Sequence, residues 1–194
     1  MVFTDLFRKL LIARQLKMEA GGMYIFDERW NMIPTKILAE TFREIMKRPQ
    51  LIPKIYNVAK ESNKKSFAYV MKDKMGLEKI KFIQVGIDIS TMSGWGNIQL
   101  INVDVETGTS NTNIYNSPIG SVYGPSKKPV DHIFRGIMAG ALSLALGKEI
   151  DFIEHNCIAM GKPYCVFESR PTEMWLSDKS MKLKVKEQLG LNSR

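Results

Sequence analysis

Apolar residues first recur along this chain at a helical interval. Phe3, Phe7, Leu10 and Leu11, with Leu6 beside them, form a stripe behind Thr4, a residue suited to capping. The spacing predicts a helix to about Met18, stopped at Ala20-Gly21-Gly22. The stretch 23-MYIFDERWNMIP-34 reads as two short strands around Asp27-Glu28-Arg29, a hairpin. Pro34 then opens a helix over 35–48, with Ile37, Leu38, Phe42, Ile45 and Met46 on one face, and Pro49 closes it. A third helical run covers 51–75, and the solvated 60-KESNKK-65 is a place for it to turn. Residues 77–86 predict a short helix or strand.

Beyond Gly86 the pattern changes. In 98-IQLINVDVETG-108 the alternation predicts a strand whose centre is apolar on both faces, so that both sides are covered. After a turn, 107-TGTSNTNIYNSP-118 returns as a polar strand, and 93-SGWG-96 makes a tight corner around a tryptophan. Pro129 opens a long helix over 130–147, ended by Gly147. Gly136 and Gly140 lie one turn apart on it, near Ala139 and Ser143, and this small face suits either close packing within the chain or a helix-to-helix dimer contact. Finally, 148–159 and 164–169 read as antiparallel strands joined at 160-MGKP-163. Helices, then strands, one helix and a hairpin argue for an α+β fold, an antiparallel sheet covered by helices.

Length and composition narrow the classes. The 194 residues, 44% of them hydrophobic, suit one domain. The organisation expected is an amphipathic helix over 1–19, a main domain over 20–170 and a basic tail over 171–194. A net charge of +8 admits anionic partners, but the lysines are dispersed and no nucleic-acid motif accompanies them, so nucleic acid is not the expected partner. The longest apolar run, about 137–147, is too short to span a bilayer, and no signal peptide is evident; a cytoplasmic protein is expected. No Gly-rich phosphate loop, dinucleotide fingerprint or Ser-His-Asp spacing is present. His132 and His155 read better as ligands, their neighbours or surface residues than as general bases, so the expectation is a protein that is not an enzyme.

The chemistry concentrates in 149-EIDFIEHNCIAMGKPYCVFES-169, which holds both cysteines and one of two histidines. Glu154, His155, Cys157 and Cys165 supply carboxylate, imidazole and thiolate, the three ligand types of zinc, within one hairpin. Side chains alternate along a strand, so Glu154 and Cys157 reach one ion only if the strand bulges or ends between them. Three readings stand: a structural zinc site, a cross-strand disulfide or redox pair, and two buried free thiols.

The spacing Glu154-x2-Cys157-x3-Gly161-x3-Cys165 resembles the end of the 4-vinyl reductase domain. Upstream, 94-GWG-96, 116-NSPIGSVYG-124 and 129-PVDHIFRGIMAG-140 are similar to that family's corner, Asn-Ser-Pro segment and helix start. The family includes sensory domains of phenol-responsive activators and stand-alone proteins described as hydrocarbon-binding. The resemblance therefore implies the fold of the small TRAPP trafficking subunits, of the NO-signalling ligand-binding type. It also implies a zinc site whose last three ligands fall on Glu154, Cys157 and Cys165. The first falls on Asp131, beside His132, where the family has a cysteine; this hardens the ligand set and puts metal identity in question.

From this the expected function is a stand-alone homodimer that binds a small hydrophobic or aromatic molecule, is stiffened by zinc and signals through a separate protein partner. An adaptor without a small ligand, or an accessory protein of tetrapyrrole or aromatic metabolism, are the alternatives. Candidates for a pocket are Trp30, Met32, Phe82, Met92, Trp95, Tyr115, Tyr123, Phe134 and Met138, each of which also suits ordinary core.

Overall fold

Pairs of residues at positive φ fold the first strands. Ala20 and Gly21 (φ 43° and 80°) join β1 (Leu16–Glu19) to β2 (Gly22–Ile25), and Phe26 and Asp27 (53° and 65°) join β2 to β3 (Glu28–Trp30). Two successive left-handed residues give the turn whose twist matches a tight hairpin. The computed structural model describes residue 8 and residues 10–192. Most of the expected N-terminal helix thus lies outside the described residues. Its predicted end does not hold: Arg14 sits at φ 53°, and Leu16–Glu19 is a strand paired with β2. Ala20-Gly21 is a hairpin turn rather than a helix stop.

The helices follow with few surprises. Helix α1 (Thr35–Met46) buries Ala39 and Phe42 but leaves Ile37 exposed. Helix α2 (Ile52–Lys65) ends at Ser66, one residue past the expected turn, and a short helical stretch closes as a π turn over Val70–Lys74. Helix α3 (Lys79–Met92) runs well beyond the 77–86 expected. Among the described residues no helix is long and apolar enough to cross a membrane.

The second half builds an antiparallel sheet in the order β4-β5-β7-β6, from β4 (Asn97–Asp104), β5 (Thr109–Tyr115), β6 (Ile150–Asn156) and β7 (Cys165–Pro171). Short helix α4 (Pro118–Val122) and long helix α5 (His132–Leu146) lie between the hairpins in sequence. The α+β architecture with its antiparallel sheet matches the expectation. One expectation fails: β4 is an edge strand, its register slips between Leu100 and Asn102, and Ile101 is turned out to solvent. The bulge removes the covered second face that strict alternation implied.

Helix α5 meets α2 at its glycines. A Cβ at Gly136 would lie 2.5 Å from the Tyr56 carbonyl oxygen, and one at Gly140 would run into the Lys60 carbonyl. The small face is thus filled within the chain, the first of the two readings.

The outer edge of β6 is sealed by side chains. Ser143 Oγ bonds Ile150 N and O, the Tyr56 hydroxyl accepts from Phe152 N, and Arg135 Nη1 donates to Phe152 O at 2.7 Å. Gln188 does the same for Glu154. Residues beyond 170 fold back as α6 (Thr172–Ser177) and α7 (Lys182–Leu189), which bury Trp175, Val185 and Leu189.

Because the obstacle at Gly140 is backbone, Gly140→Ala is expected to destabilise the fold by about 3 kcal/mol, the upper end for overpacking. Urea unfolding measures it. A loss below about 1 kcal/mol would mean that the two helices separate easily.

Candidate metal centre and apolar cavity

Four acidic side chains converge beneath α4. Asp131 stands at the start of α5, Glu154 near the end of β6, Cys157 in the connection and Cys165 at the start of β7. One ligand atom from each lies within 4.8 Å of all the others, and each residue is at most 2% exposed. The predicted strand irregularity is present: the β6–β7 register shifts between Glu154 and Asn156. That shift turns Glu154 and Cys157 to one side.

The contacts are short. Cys165 Sγ lies 3.0 Å from Asp131 Oδ2 and 3.7 Å from Cys157 Sγ, and Cys157 Sγ lies 3.8 Å from the same Oδ2. Ser117 Oγ donates to Asp131 Oδ1 at 2.6 Å, and the Asp131 N–H donates to Glu154 Oε2 at 3.2 Å. Glu154 Oε1 is buried without a partner. His155 faces elsewhere, between Glu168 (2.8 Å) and Lys184 (3.2 Å). His132 is buried, with its Nδ1 at 3.3 Å from Arg135 Nη2, and does not join the group of four.

Electrostatics describe a cluster short of positive charge. Burial, then the neighbouring Asp131 and Cys157, push the Glu154 carboxyl well above the usual carboxylate range. Burial also raises Asp131, and the hydrogen bond to Cys157 together with burial raises Cys165. Arg135 offsets part of this at Glu154, but its guanidinium hydrogen bonds go to the Phe152 and Gln188 carbonyls.

The residues fit a cation. Two thiolates about 2.3 Å from a tetrahedral zinc lie about 3.8 Å apart, close to the 3.7 Å between the sulfurs. An orphaned carboxylate oxygen supplies a further ligand atom. The sulfurs are unbonded, since a disulfide spans about 2.0 Å.

Beside this cluster, between sheet and helices, is an apolar cavity of about 100 Å³. Met71, Phe82, Ile87, Phe134, Met138 and Phe152 are among its walls, and its polar lining is Asn63, Ser90, Ser110 and Thr112. Among the described residues no charged side chain lines it. Of the nine candidates from sequence, Phe82, Phe134 and Met138 reach it. Trp30 and Trp95 line an outer groove that shares Asn63, Ser90 and Ile137 with the cavity, and Met32 is 80% exposed. Trp95 stacks on Phe134 with centroids 5.0 Å apart, joining groove wall to cavity wall. The lining residues missed from sequence sit largely on α3, at 82, 83, 86, 87 and 90. Their helical spacing is the available signal, and ending the element at Gly86 loses it.

This geometry belongs to a class of α+β domains shared by bacterial sensory domains and eukaryotic trafficking subunits. The chain carries a 4-vinyl reductase domain, whose family model matches residues 111–171. The phenol-responsive sensory domain of the transcription activator PoxR, solved with phenol, is similar at a TM-score of 0.76 and 18% identity, over 96% of this chain and 95% of that one. A vinyl-4-reductase family protein from Methanocaldococcus jannaschii is similar at 0.51 and 17% identity, over 74% and 84%. A trafficking protein particle complex subunit 3 from Naegleria fowleri, covalently bound to palmitic acid, is similar at 0.54 and 12% identity, over 71% and 95%. No curated protein matches the sequence.

The raised Glu154 carboxyl has a pH consequence. A carboxyl raised on folding contributes most below the unfolded range, and that contribution is lost as pH rises through the folded value. Buried His132, held well below its usual range by burial and Arg135, acts with the opposite sign: its contribution is present above about pH 6.5 and lost as pH falls. Comparison with Glu154→Gln isolates the carboxyl. In chelator-treated protein the variant is expected to be more stable than wild type at pH 8, with the gap closing toward pH 5. Denaturant titration at each pH reads it, and a pH-independent gap would contradict the assignment.

Proposed function

We propose that this chain is a ligand-binding sensor domain that takes one small, neutral, apolar or aromatic molecule into the cavity between α3, α5 and the sheet. The cavity itself carries the reading. It is apolar and bears a few hydroxyl and amide groups, with no charged side chain among its described lining. A cavity of about 150 Å³ lined by aliphatic and aromatic groups stays dry and accepts benzene. A single ring or a short alkyl group is therefore the size to expect here. The likeness to a sensory domain solved with phenol supports the same ligand class.

In this reading a structural zinc ion held by Asp131, Glu154, Cys157 and Cys165 pins the closing hairpin to the root of α5, the helix that forms one cavity wall. The protein acts as a homodimer in a reducing, cytoplasmic compartment, is not an enzyme, and passes its signal to a separate protein partner. Four protein ligands leave zinc no open position, so its chemistry here is to hold the fold together.

Two measurements test this. Elemental analysis of protein never exposed to chelator is expected to give about one zinc per chain, falling to near zero in Cys157→Ser and Cys165→Ser. Much less than one in wild type would overturn the metal assignment. For the cavity, Gly86→Leu is the decisive variant, because a Cβ there meets nothing nearer than Met71 Cε at 3.8 Å and the longer side chain fills the space. Calorimetric titration with phenol is expected to show binding to wild type and at least a tenfold loss in the variant, with the melting transition retained. Equal binding by both would remove the ligand from this cavity.

A further inference from the structure

Helix α7 reaches the acid cluster through one residue. Gln188 is 6% exposed, and its carboxamide pairs with the backbone of Glu154 as a neighbouring strand would. Its Oε1 accepts from Glu154 N at 3.0 Å, and its Nε2 donates to Glu154 O at 2.9 Å. Arg135 ties the same turn of α7 down, donating from Nη2 to Gln188 O at 2.8 Å and from Nη1 to Phe152 O. The position is sensitive. β6 is an edge strand, its pairing with β7 slips just after Glu154, and Glu154 Oε1 has no partner. With the register broken there, the backbone angle that aims this carboxylate is fixed from outside the sheet.

We infer that Gln188 is a positioning residue for Glu154, so that α7 and the metal centre stabilise one another. The inference rests on the metal reading above. The physical basis is linkage: an ion that fixes the Glu154 carboxylate also fixes the backbone to which Gln188 is bonded. Whatever free energy docking of α7 adds to metal affinity, the metal returns to docking of α7. Helix α7 is held otherwise by Val185 and Leu189, while Lys182, Lys184 and Lys186 stand exposed on its outer side. The occupancy of a buried centre is thereby expressed at the surface as the order of a basic helix.

The test uses the full chain and zinc alone. Zinc affinity is measured by competition with a chromogenic chelator for wild type, Gln188→Leu and Val185→Ala. The first variant removes both bonds to Glu154 at similar volume; the second loosens α7 without touching Glu154. Outer-sphere partners of metal ligands are worth about 10–100-fold in affinity, so at least a tenfold loss is expected in Gln188→Leu and little change in Val185→Ala. Hydrogen exchange over residues 182–190 of wild type, with and without zinc, gives a readout that needs no variant to fold; faster exchange on zinc removal is expected. If wild type binds zinc, but Gln188→Leu binds equally well or Val185→Ala loses as much, the positioning role is overturned while the metal centre stands. Zinc binding with unchanged exchange over 182–190 has the same meaning. Failure of wild type to bind zinc overturns the metal reading itself.

Discussion

The backbone-to-backbone contact between α2 and α5 governs where everything else lies. Two missing side chains, at Gly136 and Gly140, let the carbonyls of Tyr56 and Lys60 lie against the surface of α5. At that separation Tyr56 and Arg135 stack, with the guanidinium 4.2 Å from the ring centroid, and both reach the backbone of β6. The other end of the same helix pair leaves Asn63 donating to the Ile137 carbonyl at 2.8 Å, beside the apolar hollow. Because α5 cannot tilt without losing this contact, Asp131 at its root is delivered to a fixed place over the closing hairpin.

Strand β6 holds two buried carboxylates in opposite circumstances. Asp151 is saturated: Tyr56 and Lys60 bond one oxygen at 2.8 Å each, and Thr172 bonds the other at 2.6 Å. Burying such an ion pair contributes little net stability, but every group in it is satisfied. Glu154, three residues on, has one oxygen without a partner and further acids for neighbours. Similar residue, same strand, similar burial: the difference is the missing countercharge. That contrast, rather than the bare presence of cysteines, marks the second carboxylate as a ligand and the first as architecture.

Most of this was legible in the sequence where a pattern was dense. The 3.6-residue stripe of α5, its terminal glycine and the two alternating runs of the last hairpin specified their elements nearly to the residue. The Glu154-x2-Cys157 spacing even required the strand irregularity that is present. Sparse patterns failed. Helix α3 hides behind Gly86 and Asp88, and α7 shows two or three apolar positions among lysines, so its docking depends on Gln188 and Arg135, which no hydrophobic pattern records. Leu16–Glu19 escapes because a run of four residues is too short to distinguish the end of a helical stripe from a strand. The choice between Asp131 and His132 turned on helix geometry. Residues at the mouth of a helix point differently by about 100°, and only the first of the two faces the hairpin.

The two margins of the large sheet are unlike. On the β6 side every outward amide and carbonyl of 150, 152 and 154 is already engaged by a helix-borne group. On the β4 side the strand is the last in the order, and the slip at Leu100–Asn102 throws Ile101 outward and breaks the even comb of donors. An incoming strand from another molecule would find one margin closed and the other kinked partway along. Unwanted sheet-to-sheet growth is thus discouraged on both flanks by different means, and the molecule keeps a β-rich half without offering a flat template for aggregation.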